Sequence, residues 1–97
     1  MVERTLLVTA RLGLHARAAA KLVRLASGFD SNVELRRVDT GLSADAKSIL
    51  SVLMLAASRG TELQASAEGV DEEAALSAID RLFNDGFGER EPGLPGR

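Results

Sequence analysis

The 97 residues carry 12 Lys/Arg against 14 Asp/Glu, one histidine, no cysteine, and three aromatic side chains, all of them Phe. That length supports one small domain with a thin Leu/Val/Ile/Ala core; with no thiol and one imidazole, disulfides and thiolate sites are excluded, and neither a metal nor any other cofactor is expected. No apolar run approaches the roughly 18–20 residues of a membrane span, and Met1-Val2-Glu3-Arg4-Thr5 leads into a strand-like pattern rather than a signal-peptide core, so a cytoplasmic protein with no membrane insertion is expected.

In chain order, residues 5–10 read as a strand with Leu6, Val8 and Ala10 at period two. A loop, Arg11-Leu12-Gly13-Leu14, follows. A helix is predicted over 16–27, with Ala19, Leu22, Val23 and Ala26 on one buried face and Gly28 as its C′ stop. A strand over 32–38 places Val33 and Leu35 inward, and Asp39-Thr40-Gly41 turns the chain into a short strand around 42–44. Helical pattern resumes near Ser48 and is predicted to end at Gly60. Residues 61–67 alternate, with Leu63, Ala65 and Ala67 on one face. Asp71 should cap a last helix whose stripe is Ala75, Leu76, Ile79, Leu82 and Phe83. The domain is taken as 1–88, and 89–97 as a Gly/Pro-rich disordered tail. The order β-α-β-β-α-β-α predicts an α+β fold: an antiparallel sheet with all helices on one face.

Charge is unevenly distributed along this order. Residues 1–37 carry seven Lys/Arg and three Asp/Glu, whereas residues 38–97 carry five and eleven. Arg17, Lys21 and Arg24 share one helix face. Without interleaved aromatics this stripe does not suit nucleic acid, and an acidic protein partner fits it better.

The lone histidine matters through its position. Most single histidines carry no chemistry, but His15 would sit at the N-cap of the 16–27 helix, a poor use of histidine if capping were its only task. The free N–H groups of the first turn, at Ala16 and Arg17, would then face the imidazole. They disfavour the imidazolium and favour an anion, so the ring stays neutral and nucleophilic. A phosphoryl group on that ring would also meet the Arg17 guanidinium. Reversible phosphoryl transfer suits this arrangement; hydrolysis would need a base to activate water, and none lies nearby in sequence.

The stretch Ser48-Ile49-Leu50-Ser51-Val52-Leu53-Met54-Leu55-Ala56-Ala57 is apolar almost all round. A domain this small cannot bury every side of such a helix, so some of Ile49, Leu50 and Leu53 should be exposed as an interaction patch. Ser48 is the natural N-cap. A phosphate there would be tolerated at a helix N-terminus beside Lys47 while adding charge next to the patch.

The segments Gly13-Leu14-His15-Ala16-Arg17 and Ala46-Lys47-Ser48-Ile49-Leu50, with the 32–38 strand and the 71–83 helix, closely resemble HPr. HPr is the histidine phosphocarrier of the bacterial phosphoenolpyruvate-dependent phosphotransferase system, and the likeness covers about residues 3–88. The resemblance implies an open-faced β-sandwich with three helices on one face of a four-stranded antiparallel sheet. It implies phosphorylation of His15 at Nδ1, with Arg17 and the first-turn amides of Ala16 and Arg17 holding the phosphoryl group. Ser48 falls at the regulatory serine of an HPr kinase/phosphorylase. Enzyme I and EIIA-type proteins would dock on Arg17, Ala20, Arg24, Ile49 and Leu53 of a monomeric carrier that is not an independent enzyme. Ala18 stands where the family usually has proline; alanine suits a first turn, so the helix start should survive. Leu82-Phe83-Asn84-Asp85-Gly86-Phe87 resembles the nitrogen-related branch, whereas Lys47-Ser48-Ile49 resembles the kinase-regulated one. The competing reading is an HPr-like regulatory adaptor that acts by protein binding, with His15 idle.

Overall fold

A computed structural model describes residues 1–89. Its sheet contains β1 (Val2–Leu7), β2 (Asn32–Arg37), β3 (Ser43–Asp45) and β4 (Glu62–Glu68) in the order β1-β4-β2-β3, every neighbour antiparallel. Helices α1 (Ala16–Ser27), α2 (Ile49–Met54) and α3 (Glu72–Asn84) cover one face. The period-two pattern decides which side chains lie beneath them. Leu63, Ala65 and Ala67 of the central β4 stand opposite Leu6, Arg4 and Val2 of β1, and Ala65 and Ala67 also face Leu35 and Val33 of β2. The two alanines leave room for α1 and α3, which contribute Ala18, Ala19, Ala26 and Ala75 beside the larger Leu22, Ile79 and Phe83. Arg4 also points to the helix side, where its guanidinium donates to Asp80 of α3 at 3.0 Å.

Several boundaries differ from the sequence reading. The first ladder starts at Val2 rather than at 5, although Leu6, Val8 and Ala10 are buried as expected. Gly28 follows α1 as foreseen, but in right-handed conformation, so it stops the helix without a left-handed cap. The largest correction concerns α2, which ends at Met54 instead of running to 60. Ala56 takes φ +51, its carbonyl and that of Leu55 accept from the Arg37 guanidinium, and the carbonyl of Ala57 accepts from Leu14 N–H at 2.8 Å. These tertiary bonds outweigh local helix propensity.

Asp71 occupies the N-cap of α3 but makes no side-chain cap bond to that helix. Its carboxylate instead accepts from the N–H groups of Asp30 and Ser31, each at 2.9 Å, and from the Ser31 hydroxyl. The acid thus ties the α1–β2 connection to the start of α3. Among the described residues, no helix is long and apolar enough to cross a membrane.

Candidate functional site

The loop before α1 is held by Gly13. Its φ of +71° is a left-handed conformation, and a Cβ there would lie 2.6 Å from the Ala57 carbonyl oxygen and 2.8 Å from Ser58 Cα. Only glycine lets the two loops approach this closely. The contact fixes Leu14, which is buried, and so sets where the next residue enters the helix.

His15 is that next residue. Its φ/ψ of −74°/179° is extended, its carbonyl accepts the first helical bond from Ala19 N–H at 2.8 Å, and its ring takes the N-cap role. Nδ1 accepts from the Arg17 backbone N–H at 3.3 Å. The nitrogen that faces the helix N-terminus therefore presents a lone pair. Ala16 and Arg17 are exposed, so the first turn is open to a ligand, and Ala18 is fully buried beneath it. Helix α1 begins at Ala16 as expected, without a proline.

The other ring nitrogen has a partner that local sequence reasoning missed. Glu89 Oε2 lies 2.6 Å from His15 Nε2, with side chains 15% and 26% exposed respectively. The two residues are 74 positions apart. After α3 the chain makes one left-handed turn, with φ of +64°, +61° and +71° at Gly86, Phe87 and Gly88. Phe87 is fully buried and meets Phe83 edge-on at 4.8 Å between ring centroids. The Lys21 ammonium donates to the Phe87 carbonyl at 2.6 Å, and Thr9 hydroxyl donates to the Phe83 carbonyl. This buried aromatic anchor delivers Glu89 to the histidine. Of the segment 89–97 read as a tail, residues 90–97 lie outside the described residues.

Arg11, Arg17, Lys21 and Arg59 line the same open cleft as His15, with Glu89 the lone acid among the described residues. Arg11 and Arg59 were not singled out in the sequence. Arg59 comes from the loop that packs on Gly13, a proximity no local pattern encodes. The cleft is strongly cationic beside an open backbone-donor site, which suits a phosphoryl group on Nδ1.

Ser48 caps α2 and its hydroxyl accepts from Ser51 N–H at 3.3 Å. Lys47, its neighbour, directs its ammonium to the Phe29 carbonyl at 2.8 Å. Of the expected docking residues, Arg17, Arg24 and Ile49 are exposed, and Ala20 and Leu53 are half-buried. The apolar patch on α2 is wider than those residues alone: Leu50 is 71% and Met54 75% exposed. Among the described residues, no cluster of three His, Cys, Asp or Glu side chains could hold a metal ion.

The chain is of the α+β class, an antiparallel sheet covered on one face by three helices, with one histidine at a helix N-terminus among cations. The family model described as the PTS HPr component phosphorylation site matches residues 2–85. Phosphocarrier protein NPr of Escherichia coli strain K12 is 46% identical over 88 residues, spanning 91% of this chain and 97% of that protein. Phosphocarrier protein HPr of Treponema pallidum is 52% identical over 89 residues, spanning 92% and 99%. The crystal structure of HPr-C-His from Thermoanaerobacter tengcongensis superposes with a TM-score of 0.87 at 38% identity, covering 94% of this chain and all of that one. The chain belongs to the HPr family of phosphocarrier proteins of the phosphotransferase system.

Proposed function

We propose that this chain relays a phosphoryl group on His15 Nδ1, taken from Enzyme I charged by phosphoenolpyruvate and passed to EIIA-type proteins in the cytoplasm. The observation that carries the reading is the 3.3 Å contact that turns the Nδ1 lone pair toward the α1 N-terminus, inside a cleft lined by Arg11, Arg17 and Arg59. Nδ1 attacks phosphorus, the N–P bond forms, and the donor's bond to phosphorus breaks. The phosphoryl oxygens then face the amides of Ala16 and Arg17 and the Arg17 guanidinium, which stabilise the charge without having to be reorganised. Among the described residues, the one carboxylate at the ring is that of Glu89, on Nε2, the nitrogen away from the reaction. It is not placed to activate water at phosphorus. Its place fits a group that orients the ring of a carrier.

Docking is assigned to Arg17, Ala20, Arg24, Ile49 and Leu53 of a monomer, where cations border exposed apolar surface. Such a surface fits an acidic partner face with an apolar centre. Ser48, at the edge of that patch, is proposed as the target of an HPr kinase/phosphorylase. Its phosphate would place negative charge where an acidic partner must approach.

Radiolabelled phosphoenolpyruvate and Enzyme I should give an acid-labile, base-stable label that disappears in His15→Ala. An HPr kinase with ATP should give a stable phosphoserine abolished by Ser48→Ala; label retained in that variant refutes the regulatory assignment. The exposure of Leu50 and Met54 favours one second reading, an adaptor that works through its apolar surface. That reading predicts partner binding unchanged in His15→Ala and no label on the wild type. Offering the phosphorylated chain to sugar-branch and nitrogen-branch EIIA proteins identifies the pathway by the faster acceptor.

A further inference from the structure

We infer that Glu89 is a positioning residue that fixes His15 in its Nε2–H tautomer and stabilises the positive charge the ring gains when Nδ1 takes a phosphoryl group. The first half stands on geometry alone; the second rests on the phosphocarrier reading. The two ring nitrogens have partners of opposite character. A backbone N–H can only donate, so Nδ1, facing Arg17 N–H, must present a lone pair. Glu89 supplies a carboxylate oxygen, an acceptor, so Nε2 carries the proton. The 2.6 Å separation is at the short end for a nitrogen donor and a carboxylate, and both side chains are more than half shielded from water. The carboxylate is also anchored. Glu89 N–H donates to the Gly86 carbonyl at 3.1 Å, closing the left-handed turn pinned by buried Phe87 and by Lys21.

The chemistry follows with no further reactant. As Nδ1 attacks, its lone pair becomes the N–P bond, the donor's bond to phosphorus breaks, and the ring becomes a phosphoimidazolium that keeps its Nε2 proton. Glu89 accepts that proton's hydrogen bond and offsets the new positive charge. In the onward step the N–P electron pair returns to Nδ1, and the leaving group is neutral imidazole rather than an imidazolide anion. The same contact therefore serves both directions of the relay. It resembles the carboxylate that orients a catalytic histidine in a hydrolase triad, where the acid holds the tautomer and steadies the imidazolium.

The test uses the full-length, isotope-labelled chain and long-range nitrogen–proton NMR of the His15 ring, in the wild type, Glu89→Ala and Glu89→Gln, with backbone amide spectra confirming that each variant is folded. The wild type should show an unprotonated Nδ1 and a downfield Nε2 proton protected from solvent exchange. Glu89→Ala should lose that protection, and its phosphoryl acceptance from Enzyme I should fall about tenfold, the weight of one charged hydrogen bond. Glu89→Gln, whose amide oxygen still accepts, should keep the tautomer and yet transfer more slowly than the wild type. Identical ring spectra in the wild type and Glu89→Ala overturn the inference, as do changed spectra with equal transfer rates. If the ring spectra differ as stated but the wild type takes no label from a competent Enzyme I, the tautomer assignment stands and the phosphocarrier reading fails.

Discussion

At position 13 a methyl group has nowhere to go. Gly13→Ala places Cβ against the Ala57–Ser58 backbone and asks alanine to hold φ +71°, so urea denaturation should show a loss of about 2–4 kcal/mol from strain plus overpacking. The sequence marked this glycine as part of the loop before the histidine. It did not reveal why glycine is needed, because the obstructing atoms belong to a loop over 40 residues away. Asp71 shows the same limit. Its place at a helix start was legible, but the groups it holds are on the α1–β2 connection. Those bonds, the Ser31 hydroxyl foremost and then the Asp30 amide, keep the Asp71 carboxyl below the usual carboxylate range. A depressed folded-state value stabilises the fold above the unfolded-state value of about 3.9, and that stabilisation is lost as pH falls through the folded value. Asp71→Asn should therefore be less stable than the wild type at neutral pH. The gap should narrow in acid unfolding below about pH 4; a gap independent of pH would contradict this role.

Among the elements, α1 was the most legible, because its alanine-rich amphipathic pattern and its cap agree with its packing. Helix α2 was not. Its apolar run continues past Met54, but Arg37 and Leu14 claim the carbonyls of Leu55, Ala56 and Ala57 and turn the chain aside. The exposure of Ile49 and Leu50 was correctly anticipated from the excess of apolar side chains over available core. Ile49→Asp should change folding stability by no more than about 0.5 kcal/mol, as expected at a surface site. It should nonetheless slow phosphoryl exchange with Enzyme I, and an unchanged rate would remove this residue from the docking surface. The sequence ended the last helix at Asn84-Asp85-Gly86 and the domain at 88, but it did not show that Phe87 is buried or that the turn it anchors carries residue 89 back to His15. Phe87→Ala should cost about 3 kcal/mol in chemical denaturation and release Glu89, giving the same His15 ring spectrum as Glu89→Ala.

Across the whole molecule, the fold gathers groups that are scattered along the chain. Pairing β1 with β4 brings the Arg59 loop to the loop before α1, and the last turn returns residue 89 to residue 15. The basic bias of residues 1–37 was visible as arithmetic, and Arg11, Arg17 and Lys21 lie close to His15 in sequence; the addition of Arg59 and Glu89 to that group depends on these long-range pairings. Arg11, Arg17, Lys21 and Arg59 together should draw an acidic partner electrostatically. Because the Debye length shrinks from about 10 Å at 0.1 M salt to about 3 Å at 1 M, the association rate with Enzyme I should fall steeply over that range, and a salt-independent rate would rule out this steering. The central claim is more direct still: one phosphoryl group on Nδ1 of His15. Phosphorus–nitrogen coupling in the isotope-labelled chain, after incubation with phosphoenolpyruvate and Enzyme I, tests it by naming the bonded atom. The account predicts a single phosphorus signal coupled to His15 Nδ1 and absent from His15→Ala; coupling to Nε2, or a phosphate that persists without His15, would contradict it.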